Sequence, residues 1–138
     1  MYASQMPAIS SIHETILYAS NLPAALTFYQ DVIGLRPVSV MSGRGLVFRV
    51  TESSLLLIFD PAQTVIPGAG VPTHGTTGAG HMAFTIPYGT LRDWRAHLVE
   101  HNVPVEMEVP WPLGGHSLYF RDPAGNSVEL IDGRVWPE

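Results

Sequence analysis

The metal-binding chemistry open to this chain is that of histidine and carboxylate side chains, because the sequence contains no cysteine. Thiolate nucleophiles, disulfides and Cys-bound zinc are therefore excluded, and any metal ion must be held by imidazole and carboxylate groups. Two histidines, His13 and His81, each fall on a segment with the residue pattern of a β-strand, and Glu129 falls on another. Their joint chemistry depends on how those strands are arranged.

Composition and charge exclude several other classes of function. The net charge is −5 and all 7 basic residues are arginine, so the chain lacks the positive field that holds a nucleic-acid backbone. No apolar run approaches the ~20 residues of a membrane span. The glycine pairs lack the further glycine and the lysine of phosphate-binding loops. Met1–Ser11 has neither a basic start nor a long apolar block, so we expect no export signal and a cytoplasmic location.

Glu129 lies in a predicted hairpin over residues 116–132, whose two alternating segments flank turn-forming residues at 122–126. Side chains of one parity are expected to pack against a core, while those of the other parity form a polar face. The apolar set is Leu118, Phe120, Val128 and Leu130, and the polar set is Ser117, Tyr119, Arg121 and Glu129. The hairpin therefore presents a carboxylate beside hydroxyl groups.

The chain repeats one pattern, β-α-β-β-β, on either side of a stretch rich in Pro, Gly and Thr. His81 follows His13 by 68 positions, and the second helix terminator, Asn102, follows Gly34 by the same interval. We predict an α+β fold in a single domain over 1–138, with module one at 8–61, a linker at 62–79 and module two at 80–132. This alignment places a histidine on the first strand of each module. It also places Leu57 opposite Glu129 in the repeat.

Three segments resemble the vicinal oxygen chelate superfamily, which includes glyoxalase I, extradiol dioxygenases, fosfomycin-modifying thiol transferases and bleomycin-binding proteins. They are Phe28-Tyr29-x-x-x-x-Gly34-Leu35 after a first-strand histidine, Gly80-His81-Met82-Ala83-Phe84, and the segment Leu118–Leu130. The resemblance covers nearly the whole chain. It implies two βαβββ modules that form an open, cupped β-barrel with a metal on its concave face.

Carried over position by position, the resemblance implies His13, His81 and Glu129 as metal ligands. Such a set accepts several divalent ions, with Fe(II) or Mn(II) favoured and Zn(II) or Ni(II) also suitable. Leu57 departs from the pattern of glyoxalase I, which generally takes a fourth ligand from that position. Since Leu57 neither ligates nor accepts a proton, it weakens the isomerase interpretation without excluding it.

The neighbouring side chains leave the reaction open. Thr15 and Ser117 resemble hydroxyl residues that contact substrate in the fosfomycin enzymes, and Arg121 is the nearby cation, so these three are predicted to bind substrate. Tyr119 and His116 are predicted catalytic residues, by analogy with the helpers of extradiol cleavage. His116 has the opposite parity to Tyr119, so a bulge near Gly114 would be needed to turn it inward.

The expected function is that of a metal-dependent enzyme that binds vicinal oxygens of a small organic substrate, of the dioxygenase or lyase type. One alternative is a glutathione or thiol transferase or isomerase of the fosfomycin-resistance or glyoxalase I type. Another is a metal-free drug-binding protein similar to bleomycin-resistance proteins. We also expect a homodimer, because family members of this size commonly pair the first module of one chain with the second of another. Trp111 and Trp136 are candidates to cover the site or a subunit contact.

Overall fold

A computed structural model describes residues 6–138; residues 1–5, which belong to the segment examined for an export signal, lie outside the described part. Module one consists of β1 (Glu14–Tyr18), α1 (Leu22–Thr27) with a following π-helical turn (Phe28–Val32), β2 (Arg36–Met41), β3 (Gly45–Thr51) and β4 (Ser54–Phe59). A one-turn helix, α2 (Pro61–Thr64), opens the connecting stretch. Module two consists of β5 (His81–Thr85), α3 (Leu91–Glu100), β6 (Met107–Pro110), β7 (His116–Arg121) and β8 (Ser127–Asp132).

Each module forms its own four-stranded sheet, with strand orders β1-β4-β3-β2 and β5-β8-β7-β6. In both sheets the first and last strands of the module pair in parallel, while the remaining pairs are antiparallel. The predicted α+β fold of two βαβββ modules is therefore confirmed. None of the helices within residues 6–138 is long and apolar enough to cross a bilayer.

Local sequence signals account for the helix boundaries. The Asn21 side chain accepts a hydrogen bond from the Ala24 amide at 3.1 Å, so it caps the N-terminus of α1 as its residue type predicts. Gly34 and Asn102 follow the two helical segments with φ of 84° and 58°. Both are residue types that tolerate this left-handed conformation, which ends a helix and turns the chain back toward the sheet.

One face of each sheet packs against a single shared core, and we call this side of each sheet the helix face. Its strand residues include Leu17, Leu46, Phe48, Leu56 and Ile58 in the first sheet and Leu118, Phe120, Val128 and Leu130 in the second. The predicted burial of the hairpin's apolar parity is thus confirmed. The opposite surface of each sheet, called the open face, is directed away from this core because side chains alternate along a strand.

A hydrogen bond between modules fastens this core at its edge. The buried Tyr29 hydroxyl donates to Asp122 Oδ2 at 2.7 Å, which ties the helix of module one to the β7–β8 turn. Asp122 also accepts from the backbone amides of Ala124 and Asn126 and from the Asn126 side chain. The carboxylate thereby holds its own turn and the neighbouring module together.

Candidate active site

Two of the predicted ligands, His81 and Glu129, meet on the open face of the second sheet. His81 Nε2 lies 3.1 Å from Glu129 Oε1, and only 8% of the Glu129 side chain is exposed, against 51% for His81. The contact forms because β5 and β8 pair in parallel and place His81 and Glu129 on the same face. A buried carboxylate requires a cation or several hydrogen-bond donors, so this position is chemically specialised.

The hydrogen bonds of His81 fix which ring nitrogen is available. Nδ1 lies 3.1 Å from the Ser127 carbonyl oxygen, and since a carbonyl only accepts, Nδ1 carries the proton. Metal-ligating histidines commonly have their second nitrogen held in this way. In the neutral ring Nε2 then carries the lone pair that a metal ion would need, and it faces the Glu129 carboxylate.

The donor set and its spacing fit a divalent metal ion. Two ligand atoms that bond one ion at ~2.1 Å and at right angles lie about 3.0 Å apart. The observed 3.1 Å between His81 Nε2 and Glu129 Oε1 is close to this separation, and it is also the length of a hydrogen bond from a protonated imidazole. Imidazole nitrogen with carboxylate oxygen also suits borderline divalent metals.

The other oxygen of Glu129 is held by a chain of hydrogen bonds. The fully buried Ser117 hydroxyl donates to Glu129 Oε2, and Trp111 Nε1 donates to Ser117 Oγ at 2.7 Å. The sequence position of Trp111 predicts a cover for the site or a subunit contact, and it does not predict this bond. The chain leaves Oε1 directed at His81, so Trp111 and Ser117 orient the carboxylate.

Tyr119 lies directly across the ladder from Glu129 and stacks on the His81 ring, with centroids 6.2 Å apart and planes tilted by 22°. Burial, and then the adjacent Glu129 carboxylate, raise the pKa of Tyr119 above its ordinary value. The phenol is therefore a proton-bearing hydroxyl beside the two ligand groups, able to donate a hydrogen bond to an anionic oxygen.

The strand registers correct the repeat alignment by one residue. The His13 carbonyl accepts from Leu55 N at 3.0 Å, and at the corresponding point of module two the Gly80 carbonyl accepts from Ser127 N at 2.9 Å. His13 therefore corresponds to Gly80, not to His81. The partner of His81 in the repeat is Glu14, which pairs with Leu55 as His81 pairs with Ser127.

The position on β1 that corresponds to the ligand position of β5 is therefore Glu14 and not His13. Glu14 has the parity of Ile16, on the open face, whereas Thr15 has the parity of Leu17, which is buried in the shared core. Thr15 therefore lies on the opposite face to Ser117 and Tyr119, which counts against its predicted contact with substrate. Alternation relative to the buried strand residues could have identified Glu14 from the sequence.

Over residues 6–138 of one chain, no third His, Asp or Glu side chain completes the His81–Glu129 pair. Among residues 6–138, the single group of three His, Asp or Glu side chains with ligand atoms within 4.8 Å of one another is His97, Glu100 and His101, on α3. The predicted set of His13, His81 and Glu129 is not brought together in the monomer. Among the described residues, Glu14 does not join His81 and Glu129 in such a group.

The remaining predicted residues lie at the margin of the site. The β7 ladder runs without a register shift from His116 to Arg121, so His116 keeps the parity opposite to Tyr119 and the required bulge does not occur. Arg121 donates to both carboxylate oxygens of Glu106 and to the Gly125 carbonyl, each at 3.1 Å. Its donors therefore hold the β7–β8 turn and the segment before β6.

Comparison with known proteins yields a consistent set of relatives. The sequence profile of the Glyoxalase/Bleomycin resistance protein/Dioxygenase superfamily matches residues 11–130. Biphenyl-2,3-diol 1,2-dioxygenase 3 of Rhodococcus globerulus is 37% identical over 131 residues, which cover 89% of this chain and 64% of that protein. The chain thus spans less than two thirds of this relative's length.

Solved structures extend the comparison. The crystal structure of lactoylglutathione lyase from Agrobacterium tumefaciens superposes with a TM-score of 0.88 at 38% identity, covering 96% of this chain and 100% of that one. A glyoxalase/dioxygenase from Nostoc punctiforme superposes with a TM-score of 0.66 at 21% identity, covering 96% of this chain and 99% of that one, and shares the fold alone.

Proposed function

Because the chain belongs to the Glyoxalase/Bleomycin resistance protein/Dioxygenase superfamily, we propose that it is a metal-dependent enzyme acting on a small organic substrate that offers two neighbouring oxygens. The observation that carries this proposal is the convergence of His81 Nε2 and the buried Glu129 carboxylate at 3.1 Å. A divalent ion held there would supply Lewis-acid polarisation of the substrate oxygens.

We propose Glu14 as the third ligand in place of His13. It occupies the repeat position of His81, and it lies on the open face of the first sheet. A set of one imidazole and two carboxylates is richer in oxygen than the predicted set of two histidines and one carboxylate. It therefore shifts the preference toward Mn(II), with Fe(II) as the second choice.

The site is completed by a second copy of this chain. The ligand atoms of Glu14 do not gather with those of His81 and Glu129 within one chain over residues 6–138, so one chain supplies only part of the ligand set. A two-fold dimer that sets the first sheet of one copy against the second sheet of the other unites Glu14 of one chain with His81 and Glu129 of its partner.

The side chains around the ligands orient the substrate. Ser117 and Trp111 fix the Glu129 carboxylate, while the Tyr119 hydroxyl is placed to donate a hydrogen bond to a substrate oxygen as negative charge develops there. Apolar residues of the first sheet, such as Ile16 and Leu57, would form the wall against the substrate's carbon skeleton.

The reaction class we favour is oxygen-dependent cleavage of an aromatic diol, supported by the similarity to the Rhodococcus dioxygenase. A glutathione-linked lyase is the second candidate, since the Agrobacterium lyase is matched along its whole length. Leu57 counts against the second candidate, because that position supplies neither a ligand nor a proton acceptor.

The test uses tag-free protein purified without chelators and loaded anaerobically with Mn(II) or Fe(II). Oxygen uptake with biphenyl-2,3-diol reports the first reaction, and lactoylglutathione formation from its hemithioacetal precursor reports the second. We expect one ion per His81–Glu129 pair and metal-dependent turnover in the first assay. Thiol-dependent turnover alone would select the lyase. A protein that binds an aromatic ligand but neither metal nor either substrate productively would contradict the proposal.

A further inference from the structure

We propose a second metal site, separate from the open faces, formed by His97, Glu100 and His101 at the C-terminal end of α3. One ligand atom from each of the three side chains lies within 4.8 Å of the others. The site would take a borderline divalent ion such as Zn²⁺, because its donors are two imidazoles and one carboxylate. This inference does not rest on the proposed function.

The helix itself brings the three side chains together. Residues three and four positions apart lie on the same side of an α-helix, and Glu100 and His101 follow His97 by these intervals. The centroids of the two imidazole rings are 4.3 Å apart. The spacing therefore needs no rearrangement of the backbone to present two nitrogens side by side.

Hydrogen bonds to carbonyl groups leave one nitrogen of each ring free. His97 Nε2 donates to the Val32 carbonyl at 2.8 Å, and His101 Nδ1 donates to the His97 carbonyl at 2.9 Å. His97 Nδ1 and His101 Nε2 consequently carry the lone pairs in the neutral rings. Holding the opposite nitrogen by a carbonyl is the arrangement that orients histidines in metal sites.

The electrostatic surroundings favour a cation at this position. His101 is the residue that ends α3, so the group lies at the negative end of the helix dipole. Glu100 adds a carboxylate, and the whole chain carries a net charge of −5. The helix dipole and the Glu100 carboxylate would therefore both attract a divalent ion to this position.

Metal binding here would act on the contact between modules. The His97 ring belongs to module two and donates to Val32, in the helical segment of module one. An ion that fixes the ring through its other nitrogen would hold the end of α3 against this segment. We therefore expect Zn²⁺ to raise the melting temperature as well as to bind.

The experiment starts from tag-free protein with the double substitution His81→Gln and Glu129→Gln, which removes the proposed open-face site. Zn²⁺ titration by calorimetry and Co²⁺ absorption spectroscopy are compared with the same background carrying Glu100→Gln or His101→Gln. Both positions are exposed, so these variants should fold. His74→Gln is the matched control, since it removes a histidine from the connecting stretch.

We expect one Zn²⁺ per chain in the double variant, an affinity weakened at least about 10-fold by His101→Gln, and no change with His74→Gln. The rise in melting temperature should disappear with the affinity. Absence of binding in the double variant, or an affinity that His101→Gln leaves unchanged, would overturn the inference. Neither result bears on Mn(II)-dependent turnover by the wild-type protein, so failure of the two proposals can be told apart.

Discussion

The two modules share a backbone plan but differ in the chemistry of one face. On the helix face both sheets carry apolar residues, such as Phe48 in β3 and Phe120 in β7, each fully buried. On the open face the first sheet offers Ile16, Leu57 and Phe59, with Glu14 at its end. The second sheet has His81 and Glu129 where the first has Glu14 and Leu57, and it has Ser117 and Tyr119 where the first has Gly45 and Val47.

This difference shows which positions the fold requires and which it leaves free. The helix face must be apolar in both modules because it builds the single shared core. The open face has no such requirement, so one copy could acquire ligands and hydroxyl groups while the other kept a hydrocarbon surface. The two copies of a duplicated unit can thus take different roles, one supplying ligands and hydroxyl groups and the other an apolar surface.

The largest effect is expected where the modules differ most, at Glu129 and its counterpart Leu57. Glu129→Gln keeps the shape but removes the charge, so we expect metal affinity to fall more than about 100-fold, beyond the usual cost of a supporting residue. Leu57→Met, a volume-conserving change, should leave the affinity unchanged. Calorimetric titration with Mn(II) measures both. Equal affinities for the Glu129→Gln variant and the wild type would remove the contrast between the modules.

The corrected repeat alignment predicts the next effect. Glu14→Gln should weaken Mn(II) binding by roughly 10–100-fold, whereas His13→Gln should change it less than about 2-fold. The adjacent residues make a matched pair, because both are exposed and each substitution preserves approximate size. Parallel titrations decide the case. A loss confined to the His13 variant would restore the 68-residue alignment.

Loss of the Ser117 hydroxyl should have a smaller effect on the same site. Ser117→Ala removes the donor to Glu129 Oε2 and the acceptor of the Trp111 indole, so we expect metal affinity to fall about 10-fold. Thermal unfolding of the metal-free variant provides the control, since a stability change alone does not alter affinity in the folded protein. Unchanged affinity would mean that Glu129 is oriented by its packing.

The contact that joins the modules predicts the smallest change. Tyr29→Phe should lower the free energy of unfolding by about 1 kcal/mol, since Asp122 keeps its three other donors. Urea denaturation measures this difference. Metal affinity should not change, because neither residue lies on an open face.

The same pair sets a pH dependence. Burial, and then the Asp122 carboxylate, raise the pKa of Tyr29 above its ordinary value of 10.0. The folded state therefore favours the neutral phenol. The stabilisation that the neutral Tyr29 phenol gives the folded state is fully present below pH 10. It is lost as the pH rises beyond 10, where Tyr29 ionises in the unfolded chain. In Tyr29→Phe the free energy of unfolding should fall less steeply above pH 10. An unchanged slope in the variant would mean that other groups cause the fall.

Much of the fold could be predicted from sequence, because alternation and helix terminators are local signals. The buried parity of Leu118 and Leu130 and the left-handed Gly34 and Asn102 follow from residue type. The error at His13 has a physical cause. The helix terminators of the two modules are 68 positions apart, but their first strands, β1 and β5, are 67 apart. The extra residue of module two lies between β5 and Asn102. An interval read from one element does not transfer across a loop.

The parts of the site that could not be predicted depend on contacts distant in sequence or on side-chain direction. Trp111 reaches Ser117 only because the β6–β7 connection folds back. Arg121 was expected to face substrate, yet its donors are taken up by Glu106 and the Gly125 carbonyl. Such pairings are set by tertiary packing, which a strand pattern does not contain.

The division of the proposed ligand set between the two modules has a genetic consequence. In a dimer built on these faces, each of two equal sites draws Glu14 from one subunit and Glu129 from the other. Chains carrying Glu14→Gln and chains carrying Glu129→Gln would each contain only impaired centres alone, yet a hybrid of the two would contain one intact centre. Random reassortment of such subunits would restore about a quarter of the wild-type centres, which is intersubunit complementation between two defective alleles.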